Sequence, residues 1–238
     1  MRKRPVKLNR MLKAVIFDFN GVIADDESIH FELFSRVLSE ERIRMTRREY
    51  NRSYLHLNDR DAFSLAYDRQ GKPLSRDYLA GLIRRKSEYY RELLRDRDLL
   101  FPDAAQFIRA TAARFPIAIA SGALNAEIET ILKRAGLLEL FPVIIGAEKA
   151  VLGKPEPECY LTALEELNLH YGIKPKIKNS EVLVIEDSVG GIDGAHRAGM
   201  LCLAVANSYP PNELRSADFV VETLSQIDFK VIQSQLEK

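Results

Sequence analysis

Cysteine is scarce: the 238 residues include two, Cys159 and Cys202, far apart and without metal-type spacing. That excludes a disulfide framework and points to a reduced, cytoplasmic protein with two small buried thiols. Long apolar runs are missing too, since none approaches the ~20 residues that a bilayer-spanning helix needs. Nor is one sign of charge in excess, because 35 basic and 34 acidic residues leave a formal net charge of +1. Such a balance gives no global attraction to nucleic acid or to a membrane surface. Residues 1–10 are basic but lack the apolar stretch of a secretory signal, and read as a frayed tail. There is no internal repeat and no low-complexity segment. What is present, 46% hydrophobic and 29% charged, suffices for one large domain, or for a core with a smaller inserted module.

Short apolar runs rich in β-branched residues alternate with amphipathic stretches. The runs cover residues 14–17, 117–120, 143–145, 182–185 and 201–205, with a weaker one at 219–221. Their nearly continuous apolar character suits strands covered on both faces. Between them, helices are expected over 103–114, over 126–135 with Asn125 as N-cap and Gly136 as stop, over 156–167 with Pro157 in the first turn, and over 189–198. This alternation predicts an α/β class fold, a doubly wound parallel, Rossmann-like sheet with right-handed crossovers. Roughly a hundred residues separate the first strand from the second, too many for one crossover. Within them Ile29, Leu33, Phe34, Val37 and Leu38 form one apolar stripe, Ala62, Phe63, Ala66 and Tyr67 another, and an Arg-rich third helix spans about 76–97. The expected organisation is a catalytic core of residues 1–25 and 99–238, interrupted by an all-helical module at 26–98.

In an open α/β sheet the reactive groups sit beyond the carboxyl ends of the strands. Asp18 follows the first strand and leads into Asn20-Gly21; Ser121-Gly122 follow the second. Lys154-Pro155 lie in a later loop, and Glu186-Asp187-Ser188 end the fourth. Taken singly, each is as well explained as a solvated loop residue or a helix cap, but together they suit phosphoryl transfer. A carboxylate at Asp18 could attack phosphorus and split one hard step into two. A hard divalent ion such as Mg²⁺, wanting oxygen ligands, would sit between the two anions. Asp18, the Asn20 carbonyl and Asp187, with Glu186 close by, are the candidate ligands. Lys154 would neutralise charge, while Ser121 and amides near Gly122 would hold phosphoryl oxygens.

These residues, in this order and spacing, resemble the four signature motifs of the haloacid-dehalogenase-like superfamily. The helical insert and the run Val184 to Ile192 are similar to the β-phosphoglucomutase-like phosphatases. The resemblance implies a Mg²⁺-dependent phosphatase of a small phosphorylated metabolite with a cap domain, Asp18 as nucleophile and Ser121 and Lys154 as phosphate ligands. It also implies a metal held by Asp18, the Asn20 carbonyl, Glu186 and Asp187. No nucleic-acid or membrane partner is implied.

One position departs from the family pattern. Its phosphotransferases carry a second Asp two residues after the nucleophile as general acid and base, where this chain has Asn20. An amide cannot shuttle a proton, and losing such a group typically costs ~10²–10⁴-fold in rate. The Asn is an inactivating change, or is compensated by Asp26, which stands where relatives carry Thr or Ser, or deamidates back to Asp. Asp25 and Asp26 are equally well read as a turn and helix cap. In the insert, His30 matches a hinge histidine of the mutase-like relatives and Arg60 their substrate-gripping cap arginine, each as readily a surface residue. His56, His170 and His196 are expected at the surface. Ala123 and Leu124 replace the polar pair with which mutases grip a second phosphate, which favours a monophosphate. The alternatives are a non-catalytic binder of a phospho-metabolite, a mutase-type relative, and a true haloacid dehalogenase, which needs no acid at position 20.

Overall fold

A computed structural model describes residues 11–55, 57–94, 97–150 and 152–237. The frayed tail expected at residues 1–10, and His56, lie outside the described residues. Six parallel strands form one sheet: β1 (Ala14–Phe17), β2 (Ile117–Ala120), β3 (Ile144–Ile145), β4 (Val182–Glu186), β5 (Leu201–Val205) and β6 (Phe219–Val221). Their order is β3-β2-β1-β4-β5-β6. Relative to the expected strands, the third starts one residue later and the fourth runs one further.

Alternation along each strand divides the sheet's side chains between two cores. Val15 and Phe17 face one layer with Ile108, Ile128 and Phe229. Those residues come from α5 (Ala104–Ala112), α6 (Asn125–Arg134) and α9 (Phe229–Leu236). Ala14 and Ile16 face the other layer with Tyr160, Leu164, Ile192 and Ala195, from α7 (Glu158–His170) and α8 (Val189–Arg197). With both faces covered, the strands must be apolar throughout, and β1, β2, β4 and β5 are buried at every residue. Asn125 is the first residue of α6 rather than its N-cap, a place taken by Leu124. The Asn125 N–H donates to Glu148 at 3.0 Å, an acceptor from the loop after β3 that no local pattern announces.

Four helices lie between β1 and α5: α1 (Glu27–Glu40), α2 (Arg47–Ser53), α3 (Asp59–Asp68) and α4 (Arg76–Leu94). Both expected stripes are buried, and Phe34, Val37, Leu38, Ala62, Phe63, Ala66, Tyr67 and Leu82 form a third apolar cluster. α2 had no apolar stripe to reveal it, and a capping box of Thr46 and Glu49 fixes its start. The two connections to the sheet run side by side. Asp25 N–H donates to Leu99 C=O at 2.7 Å and Phe101 N–H to Ile23 C=O at 3.0 Å.

Candidate active site at the carboxyl edge of the sheet

Register brings the chemistry together. Phe17 of β1 is paired with Ile119 of β2 and with Ile185 of β4. The residues just beyond, Asp18, Ser121, Glu186 and Asp187, therefore emerge along one stretch of one edge. β1 is the strand from which the order runs both ways, and such switch points open a crevice.

Lys154 holds this cluster: its Nζ lies 2.5 Å from both Asp18 Oδ1 and Glu186 Oε1. Burial pulls the ammonium pKa down, but Asp18 and Glu186 outweigh it and leave it above the usual lysine value. Burial lifts the Asp18 carboxyl to about 6, with Lys154 opposing. Glu186, desolvated but facing Lys154 and several donors, ends below the ordinary range. Its Oε2 accepts from the backbone N–H of Asp187 and Ser188 and from Ser188 Oγ, each at 2.9 Å. Asp187 is pushed far upward by burial and by the Glu186 and Asp18 charges, and Ser208 donates to it.

Two glycines let the backbone approach this closely. Gly21 has φ +76, and a Cβ there would stand 1.9 Å from Asp187 Oδ2; a Cβ on Gly191 would stand 1.9 Å from the Glu186 carboxylate. Asp18, Glu186 and Asp187 each offer an oxygen, all within 4.8 Å of one another. Three buried carboxylates against one ammonium form a hard, oxygen-rich and negatively over-charged donor set, which fits a divalent ion of the Mg²⁺ type.

A single cavity joins this edge to the helices. Asp18, Asn20, Ser121, Gly122, Lys154 and Asp187 line it from the sheet side, and His30, Asn58 and Asp59 from the helical side. Of the candidate site residues singled out in the sequence, Glu186, Asp26 and Arg60 are not on its wall. Glu186 lies behind Lys154, which it contacts. Arg60 is 41% exposed and its Nε bonds Asp61 at 3.1 Å. Asp26 is fully buried behind Asn20. It occupies the N-cap position of α1 but makes no capping bond. Its carboxylate instead accepts from Tyr90 and from Asn20 Nδ2, at 2.9 and 2.8 Å to its two oxygens. His30 Nε2 lies 3.2 Å from it. Burial opposes ionisation of Asp26, but His30 and these donors hold it below the usual carboxylate range.

Sequence reasoning missed Lys86. Its side chain is fully buried, and Nζ lies 2.8 Å from His30 Nδ1 and 2.6 Å from Asp59 Oδ1. The signal was its place in the run Leu82, Lys86, Tyr90, Leu94, a four-residue spacing that buries all four. His30 is thus contacted on both ring nitrogens, Nδ1 by Lys86 and Nε2 by Asp26 and by Asn20 Nδ2 at 3.0 Å. Burial and the Lys86 charge press its pKa down, but the nearby Asp26 and Glu27 carboxylates hold it above the usual value. Glu127 was also missed. It is 2% exposed on α6, lines the cavity, and its Oε1 has no hydrogen-bond partner. Glu27, on the same wall, accepts from Tyr50. Of the histidines expected at the surface, His196 is partnered, 3.1 Å from Asp218. Both cysteines are buried.

Residues 12–199 match the haloacid dehalogenase-like hydrolase family. The chain belongs to that family. The chain is 29% identical over 199 residues to a phosphorylated carbohydrates phosphatase of Thermotoga maritima, covering 79% of this chain and 82% of the relative. Its fold superposes on a β-phosphoglucomutase from Clostridium difficile with a TM-score of 0.82 at 23% identity, over 95% of this chain and 97% of the other. A mutant of CbbY from Rhodobacter sphaeroides, solved with xylulose-(1,5)-bisphosphate, gives 0.78 at 24% identity over 91% and 96%. The hydrolase thus has the sheet and inserted helices of the β-phosphoglucomutase-like group. Among its described residues no helix is long and apolar enough to cross a membrane.

Proposed function

We propose that this hydrolase is a Mg²⁺-dependent phosphatase of a small, sugar-type phosphate monoester, working through a phosphorylated Asp18. The observation that carries the reading is the Asp18–Lys154–Glu186 contact at 2.5 Å on each side, in a cavity that Ser121 also lines. An Asp18 oxygen attacks phosphorus, the ester bond breaks, and the substrate alcohol leaves with a proton. Water then attacks the acyl phosphate, releasing inorganic phosphate and restoring the carboxylate. Lys154 offsets the charge of nucleophile and phosphoryl oxygens as a point charge. Ser121 and the amides near Gly122 hold the remaining oxygens. A Mg²⁺ ion held by Asp18, Glu186, Asp187 and the Asn20 carbonyl would supply the positive field that lets two anions meet.

Proton transfer is the step that departs from the family. Asn20 cannot carry a proton, and Asp26 is too deeply set to meet a leaving oxygen. His30 lines the cavity, positioned by Asp26 and Asn20 at Nε2 and by Lys86 at Nδ1, and its raised pKa beside the ionised Asp26 lets it carry a proton. We assign the proton to this His30–Asp26 pair, with a rate below that of a carboxylic acid at position 20. Residues 26–98 act as the cap that excludes water, hinged at the two connecting segments that pair around Asp25 and Leu99. The apolar Ala123 and Leu124 on the cavity wall favour a substrate with one phosphate. Arg60, facing Asp61, supports no grip on a second one.

The test is phosphate release with Mg²⁺ across a panel of sugar phosphates by the parent, Asp18→Ala and Asn20→Asp. Turnover that Asp18→Ala abolishes and Asn20→Asp raises supports the reading. An unchanged rate in Asp18→Ala overturns it. Affinity for phosphate or BeF₃⁻ without turnover would move the chain to the binder alternative, in which Asn20 Nδ2 serves to hold Asp26 rather than to move a proton.

A further inference from the structure

The wall of the cavity away from Asp18 is acidic in a way that phosphoryl transfer does not use. Glu27, Asp59 and Glu127 all face it. Glu27 is engaged by Tyr50. Asp59 uses one oxygen for Lys86, while its Oδ2 is buried with no partner. Glu127 has no hydrogen bond to Oε1 at all, although 98% of the residue is removed from solvent. It lies within electrostatic range of Asp59, Lys86 and His30. A buried acceptor left unmade is costly, and a fold keeps one where a ligand completes it.

We propose that this wall is the subsite for a primary amine on the substrate, so that the ester hydrolysed is an amine-bearing phosphate monoester whose ammonium docks between Glu127 and Asp59. The inference rests on the phosphatase reading above and names its substrate class. An ammonium brings three donors, no acceptor and a positive charge. A hydroxyl brings one donor and two lone pairs that would confront the carboxylates. Lys86 cannot serve as the counter-ion for all of this wall, because its contacts go to His30 and to the other oxygen of Asp59. The division of the cavity fits such a molecule: Lys154 and Ser121 at one end for the phosphate, and carboxylate acceptors at the other for the amine. Burial lifts the Glu127 carboxyl to about 7, so an arriving cation would readily ionise it.

The experiment uses ω-aminoalkyl phosphates of two to six carbons, each paired with the hydroxyalkyl phosphate of the same length, with Mg²⁺ and the full chain. The expected result is one chain length or more at which kcat/KM for the amine exceeds that for the alcohol by about tenfold, one strong charged hydrogen bond. Glu127→Gln should bring that ratio to within about twofold, and Glu127→Asp should restore part of it. A ratio near one at every length, or a preference that survives Glu127→Gln, overturns the proposal. Were no member of either series hydrolysed, the phosphatase reading would be decided separately by the sugar-phosphate panel. The amine preference would then be read from calorimetric affinities of the same pairs for Asp18→Asn, with the same outcomes deciding it.

Discussion

The Asn20 Nδ2 donates to both oxygens of Asp26 at under 3 Å, so an acid introduced at position 20 would meet a carboxylate already there. Two carboxylates at that distance cannot both ionise, and one keeps a proton at neutral pH. Asn20→Asp therefore provides an acid but ties it to Asp26, and the expected gain in phosphate release is about tenfold. Asn20→Asp with Asp26→Thr frees it, and the gain should approach the ~10²-fold or more that a positioned general acid supplies. Steady-state rates on one substrate for the parent, the single and the double variant check this ordering. An equal or larger gain from the single variant refutes it.

Glu127 gives a second expectation at the same scale. Its carboxyl pKa is raised from 4.5 to about 7 by burial, so between those pH values the folded chain holds a proton that the unfolded chain has lost. Stability is thus fully present below pH 4.5 and is lost as pH rises through 7. Glu127→Gln removes the group that ionises. Relative to the parent it should gain roughly 1–3 kcal/mol on going from pH 5 to pH 8. Urea unfolding at the two pH values checks this, and a pH-independent difference between the chains contradicts it.

Three helices of the insert meet at one buried cation, with Lys86 of α4 reaching His30 of α1 and Asp59 of α3. Lys86→Met keeps the shape but strands Asp59 with neither oxygen partnered, a cost of about 3–5 kcal/mol for breaking a buried pair. Adding Asp59→Leu removes the stranded charge, and the double variant should be more stable than Lys86→Met alone. Equilibrium unfolding of the four corners of that cycle measures the coupling. How much was legible in the sequence follows the same division. The strands could be read because both faces of the sheet are covered, so Ala14–Phe17 or Leu201–Val205 carries its burial in composition alone. Asp18, Ser121 and Glu186–Asp187 could be placed together because strand ends point at one edge whatever the loops do, whereas Lys154 comes from the loop after β3 and was legible only through its motif. The insert resisted: an amphipathic stripe reports that a face is buried, but not against what. Lys86 sits in such a stripe as one charge among many on α4, and only the crossing with α1 and α3 gives it partners. Arg60 is a converse case: its place in sequence suggested a cavity residue, but it lies off the cavity wall with its Nε on Asp61.

Across the whole molecule, the groups proposed for phosphate and metal all belong to the sheet edge, while those proposed to surround the leaving alcohol belong to the inserted helices and to α6. On the proposed reading, binding of the ion would be a property of the core, with its pH dependence set by two raised carboxyls there. Asp18 stands at about 6 and Asp187 well above its usual value, each chiefly through burial. A metal displaces those protons, so its affinity must fall as pH drops, by up to about tenfold per unit for each proton released. Between pH 8 and pH 5 the Kd for Mg²⁺ should weaken by about a hundredfold or more, with proton release visible as a buffer-dependent heat in calorimetry. Asp187→Asn lowers the overall affinity but removes one displaced proton, so its Kd should vary less steeply with pH than the parent's. Since the raised pKa values arise from mutual repulsion and burial, Mg²⁺ should also stabilise the fold more at pH 8 than at pH 5. An increase in Tm on adding Mg²⁺ that is equal at the two pH values would place the ion somewhere other than among Asp18, Glu186 and Asp187.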